Sequence, residues 1–146
     1  MASKYAPLIV GGLVPAILYG LAGVFQKWSA RDGGSVSTYL IGFGVATVVV
    51  GIVGTAVQSG GGSPISAVGF ALLGGLVFAV GAGLISFTII RYGAAISQLS
   101  PLYNMNILVT VVFGLLFFSE FRDLNVPTLL TGALLILAGG WIVANA

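Results

Sequence analysis

Only eight charged residues are spread along the 146 positions of this chain, and the gaps between them decide what it can become. Lys4, Lys27, Arg31, Asp32, Arg91, Glu120, Arg122 and Asp123 bound uncharged stretches of 22 residues (5–26), 58 (33–90), 28 (92–119) and 23 (124–146). A helix needs about 20 mostly apolar residues to cross the hydrocarbon core of a bilayer. The first, third and fourth stretches each hold one such span. The second is too long for one and is interrupted by Ser59-Gly60-Gly61-Gly62-Ser63-Pro64, a run suited to a turn, so it holds two. A soluble domain does not fit. Charged residues are 5% of the chain, against roughly 25% in soluble proteins, and cannot cover a water-facing surface.

These intervals predict an all-α integral membrane protein, a bundle of five transmembrane helices over about 5–27, 36–57, 66–91, 97–119 and 126–144. The whole chain, 1–146, forms a single domain in this reading. A β-barrel wall would need ten-residue segments of alternating polarity, and these segments lack them. The basic start at Lys4 resembles a leader peptide. The apolar run after it is long for one, however, and no small-x-small cleavage site follows. The chain has no cysteine, hence no disulfide. Five crossings put the termini on opposite sides, with Lys4 and Arg122 on one and Lys27, Arg31 and Arg91 on the other. The Lys/Arg excess that orients membrane proteins is nearly absent, so both orientations are expected. Trp28 and Trp141 close the first and fifth spans on the same face, where their half-wet rings act as interface anchors.

Close packing in lipid depends on small residues. Gly44/Gly51, Gly74/Gly81 and Gly132/Gly139 recur at heptad spacing, and Gly12/Ala16, Gly42/Ala46, Gly75/Ala79 and Gly140/Ala144 at four. They predict tight contact among the second, third and fifth helices. Pro15, near the middle of the first span, is a candidate hinge, since its ring bends the helix and frees a carbonyl.

Enzyme chemistry has little to work with. There is no His or Cys, no metal-ligand spacing and no nucleophile–base arrangement, and all three acids map to helix ends or loops. Gly60-Gly61-Gly62 lacks the Lys-Ser/Thr ending of a phosphate loop. The net charge of +2 is dispersed, so no nucleic-acid partner is expected. The expectation is a protein without catalytic residues, metal or cofactor.

Neutral polar groups inside the spans are the remaining markers of function. The fourth span carries the densest set: Ser97, Gln98, Ser100, Tyr103, Asn104, Asn106 and Thr110. At about 100° per residue, Tyr103, Asn106 and Thr110 fall within about 60° of one another, and Ser97, Ser100 and Asn104 form an adjacent strip. Two asparagines at this depth are too costly to face lipid. Either they hold helices together by hydrogen bonds or they line a solute path. Tyr103, Asn104, Asn106 and Thr110, with Tyr19 of the first span, are the candidate substrate-binding residues. Gln26, Thr47, Ser86 and Thr88 are ordinary for membrane helices when taken singly.

Tyr92 with Ala94-Ala95, then an apolar helix closing on Glu120, then Leu130-Thr131-Gly132-Ala133-Leu134-Leu135-Ile136-Leu137-Ala138-Gly139-Gly140 forms a pattern. It resembles the EamA-type repeat of the drug/metabolite transporter superfamily. Tyr19-Gly20 and Lys27 resemble the opening of the same repeat, so the likeness covers nearly the whole chain. Most members carry two inverted repeats and ten helices, with substrate bound between the halves. This chain would be a half-size, five-helix member. The family often has a proline in the fourth helix about where Asn106 stands, whereas the proline here is Pro101. The small four-helix multidrug exporters of the superfamily use a glutamate in their first helix, and the first span here has no acid.

The resemblance implies a multi-pass transporter in the plasma (inner) membrane, moving a small neutral or polar solute or metabolite. One repeat regains the inverted pair by joining an oppositely oriented copy, so the expectation is an antiparallel, dual-topology homodimer, or a heterodimer with another half-size subunit. The alternatives are a non-transporting subunit supporting a partner protein and a drug-efflux protein of the small multidrug type.

Overall fold

The computed structural model describes residues 5–57, 62–119, 121 and 124–145. Among them are five helices long and apolar enough to span a bilayer: α1 (Ala6–Arg31), α2 (Val36–Val57), α3 (Ile65–Tyr92), α4 (Ile96–Phe117) and α5 (Val126–Ala144). No strand occurs among the described residues. The chain is an all-helical, multi-pass membrane protein. It divides into two compact units, Met1–Gly93 with α1 to α3 and Ala94–Ala146 with α4 and α5.

Helix α1 departs from regular geometry directly before its inner proline. Ile9–Leu13 form a π-helical turn in which the Val14 N–H bonds to the Ile9 carbonyl, five residues back. Pro15 has no N–H to donate, and its ring competes for the space of the carbonyl four residues earlier, at Gly11. A wider turn supplies that space, so the irregularity expected at Pro15 lies on its N-terminal side. The helix continues past Lys27 to Arg31 and ends in a Schellman turn. Gly33 adopts φ +87°, its N–H bonds to the Ala30 carbonyl at 3.3 Å, and the Gly34 N–H reaches back to Ser29 at 2.8 Å. Helix α2 then starts on Ser35, whose hydroxyl accepts from the Thr38 N–H at 3.1 Å. Helix α3 stops at Gly93, φ +67°, with its N–H on the Ile89 carbonyl at 3.1 Å.

Within the first unit, α2 packs on α3 through stacked rings, Tyr39 on Phe43 and Phe43 on Phe78, with centroids 6.2 and 5.6 Å apart. Gly83 also admits Leu40, whose Cδ1 lies 3.3 Å from where a β-carbon would stand. The heptad glycines behave otherwise than their spacing predicts. Gly44, Gly51, Gly74, Gly81, Gly132 and Gly139 all have open space where a β-carbon would project. Gly44 and Gly74 line an open apolar groove of about 710 Å³ between α2 and α3. Glycine spacing marks a face that permits close approach, and it does not say which helix arrives.

In the second unit, α5 begins on Asn125, whose side chain accepts from the Thr128 N–H at 3.2 Å, with Pro127 in the first turn. Its Ala133 is buried. Gly140 abuts α4 so closely that a β-carbon there would stand 3.1 Å from the Pro101 carbonyl oxygen.

Candidate functional site

The fourth span is not one regular helix. Its first segment, Ile96–Tyr103, contains Pro101, and the second, Asn106–Phe117, restarts after Met105. Between them the hydrogen bonds shorten by one residue. Met105 donates to Leu102 at 3.1 Å, Ile107 to Asn104 at 3.2 Å and Leu108 to Met105 at 3.1 Å. In an unbroken helix Met105 and Ile107 would serve the carbonyls of Pro101 and Tyr103, and here they bond elsewhere. The local cause lies at the break itself: Asn104 and Asn106 are weak helix formers whose side chains compete with the backbone, whereas Pro101 acts on the turn before it, at the Ser97 carbonyl.

The break falls among the residues selected for substrate binding. Tyr103 ends the first segment and is half-buried, while Asn104 and Asn106 flank Met105 and are exposed. Neither asparagine amide has a hydrogen-bond partner among the described residues. Thr110 is also exposed, with its hydroxyl donating to the Asn106 carbonyl at 3.3 Å. The regular 100° spacing that would align Tyr103, Asn106 and Thr110 does not run through the break, so their grouping rests on sequence proximity around it. Tyr19 belongs to the other unit and is 69% exposed. The tryptophans proposed as anchors are open as well, Trp28 54% and Trp141 62% exposed, and Trp28 meets Phe25 edge to face at 5.6 Å.

A second polar grouping was not legible in the sequence. Gln26 of α1 and Ser86 of α3 are the buried polar side chains of the described residues, 6% and 2% exposed. The Gln26 amide donates to the Ser86 hydroxyl at 2.7 Å and to the Ala82 carbonyl at 3.1 Å. Nearby, Lys27 Nζ reaches the Gly93 carbonyl at 3.5 Å. No buried side-chain polar atom described here lacks a partner. The Gln26 amide nitrogen is thereby engaged twice across two helices, and the pair works as a clasp between α1 and α3. Sixty positions separate the two residues, and no local signal links them.

The α2–α3 groove is also poorly suited to a polar solute. Its hydroxyl is Thr47, and that hydroxyl already donates to the Phe43 carbonyl at 2.8 Å. Among the described residues no group of three or more His, Cys, Asp or Glu stands close enough to hold a metal. Asp32 caps the end of α1, while Lys4, Glu120, Arg122 and Asp123 lie outside the described residues. The α4 break therefore has the strongest claim to a solute: unpartnered amides and redirected carbonyls in an apolar span. No family model, curated protein or solved structure matches the chain.

Proposed function

We propose that this chain is half of a membrane transporter for a small neutral or polar solute, working by alternating access as an antiparallel pair. The carrying observation is the interruption of α4, where Asn104 and Asn106 present amides without partners near the middle of an apolar helix. Irregular backbone at membrane depth is tolerated where protein buries it or water fills the space beside it. Broken helices near the bilayer midplane are a common way to build transport sites. An amide both donates and accepts, which suits hydroxyl- and amide-bearing solutes, and the absence of charge around the break disfavours ions. The resemblance to a single EamA-type repeat supports the same reading, with a plasma (inner) membrane as the expected location. Tyr103 and Thr110 flank the break and complete the polar lining.

A second reading is favoured by the Gln26–Ser86 clasp. The chain demonstrably uses neutral polar groups to join helices, and Asn104 and Asn106 would do so toward a partner protein if it were a supporting subunit. Swelling of proteoliposomes in iso-osmotic glycerol, sugars and amides separates the two. Transport predicts solute-selective swelling that Asn104→Ala and Asn106→Ala abolish while the protein still inserts and elutes as a single species. A supporting subunit predicts no swelling, with loss of assembly in the same variants.

A further inference from the structure

The first unit gathers the chain's net charge at one end. Helices α1 and α3 are the first and third spans, so they run in the same direction, and the 2.7 Å bond from Gln26 to Ser86 fixes their register. Arg31 lies five residues beyond Gln26, and Arg91 five beyond Ser86. Both arginines therefore stand about 7.5 Å past the clasp, at one level. Lys27 joins the same end, its Nζ 3.5 Å from the Gly93 carbonyl just past α3. Trp28 and Tyr92 are exposed in these last turns, as aromatic side chains are at headgroup depth.

Arg31 and Arg91 are exposed, and neither has an ion-pair or hydrogen-bond partner among the described residues. Asp32 is the one acid that the sequence sets on this face. The link from Gly93 to Ile96 is too short for α4 to begin anywhere else, so α4 ends a span away, and Glu120 and Asp123 follow its end. That separation, about 33 Å of helix, holds for every placement of the second unit. Three cations against one acid put the whole formal charge of +2 on this face, while Lys4 and Arg122 balance Glu120 and Asp123 on the other.

We infer that this end binds anionic phospholipid, the headgroup phosphates pairing with Arg31 and Arg91. Lipid phosphate is the anion present at that depth, and the arginine fork matches it with two parallel hydrogen bonds. A net positive face selects headgroups that carry net negative charge over zwitterionic ones. The register also sets how many lipids bind. At about 100° per residue, five residues turn each arginine about 140° from the clasp in the same rotational sense. On parallel helices that face each other, equal turns of one sense lead to opposite flanks. Each arginine thus takes its own phosphate, with Lys27 adding to the potential between them. The site needs the first unit alone and stands whether or not the chain transports a solute.

Native mass spectrometry of the purified chain in detergent tests it, with phosphatidylglycerol, phosphatidylcholine of the same acyl chains and soluble glycerol phosphate added in turn. Phosphatidylglycerol should be retained as up to two adducts per chain, several-fold above phosphatidylcholine, and glycerol phosphate should not be retained. Arg31→Gln and Arg91→Gln should each remove one adduct, and the double variant should hold the two lipids alike. Arg122→Gln, on the opposite face, should leave the preference unchanged. Equal retention of the two lipids by the unaltered chain would overturn the inference. So would a preference that survives the double variant, or one that falls as far in Arg122→Gln. Glycerol phosphate held as well as the lipid would assign the arginines to a soluble phosphate and overturn it too. Loss of both adducts in either single variant would overturn the two separate positions. Raised ammonium acetate should abolish the preference in the unaltered chain. A preference indifferent to salt overturns the ionic site even if the arginine variants fail to fold.

Discussion

Gln26 illustrates how little of a polar residue's role is visible at its own position. It stands one residue before a lysine near the end of an apolar span, where a glutamine facing the headgroups would be unremarkable. The fold instead turns it into α3, where one amide nitrogen serves both Ser86 and the Ala82 carbonyl. Hydrogen bonds between membrane helices contribute about 1 kcal/mol each and reach about 2. Gln26→Met, which keeps the length and removes the amide, should therefore lower resistance to unfolding in mixed detergent by about 1–2 kcal/mol. Ser86→Ala should cost less, because the Ala82 bond survives. The double variant should be milder than the two single effects added, since both remove the same 2.7 Å contact. Strict additivity in the detergent titration would show that the contact contributes nothing.

At the level of elements, two glycines next to one another do different work. Gly33 occupies the left-handed region at φ +87°, and an alanine there would cost about 1 kcal/mol of backbone strain. At Gly34 the obstacle is steric: a β-carbon would lie 2.6 Å from the Ser29 carbonyl oxygen, and backbone cannot move aside cheaply. Gly34→Ala should consequently lower the melting temperature more than Gly33→Ala, and the reverse order would discredit the Schellman geometry. The α4 break carries a parallel expectation. Pro101→Ala restores an N–H that can reach the Ser97 carbonyl and relieves crowding in the turn before it. Amide exchange at Gln98 to Leu102 should slow in that variant, while Asn104 to Leu108, on the far side of the proline, should change little. Gly140→Ala presses on the Pro101 carbonyl from α5, so it should perturb the Met105 amide with no substitution in α4.

For the whole molecule, orientation and driving force are open to direct measurement. Gly62 lies between α2 and α3 and has open space around it. The near balance of Lys and Arg between the two faces predicts that Gly62→Cys labels with impermeant thiol reagents from both sides of one membrane preparation. Labelling from a single side would rule out dual topology, and with it the antiparallel homodimer. Proton coupling is not expected, since the chain has no His and the sequence map sets its acids, Asp32, Glu120 and Asp123, at helix ends or loops. Swelling rates should stay flat across the range where carboxylates and imidazoles titrate. A titration that disappears in Glu120→Gln would place that carboxylate on the transport path.

Fold class was legible in the chain because crossing a membrane is a one-dimensional requirement: enough consecutive apolar residues to exceed the bilayer thickness, interrupted where charge or a glycine-rich run forbids continuation. The same local logic marks the caps at Ser35 and Asn125, whose partners lie three residues away. Asn104 and Asn106 were conspicuous for a similar reason, being amides where the surrounding span is apolar. Contacts between helices follow no such rule. Gly44 and Gly74 have the spacing of a packed seam and border an open groove, whereas Gly83 and Gly140 meet close neighbours. Ser86 is nearly inaccessible because Gln26 arrives from sixty positions away. The interruption of α4 lies between these extremes. Pro101 and the two asparagines weaken the helix locally, but which hydrogen bonds shift is set by the turn geometry and by the close approach of Gly140 to the Pro101 carbonyl. Apolar length is a property of a segment, and the choice of a hydrogen-bond or packing partner belongs to surfaces that exist only once the helices have met.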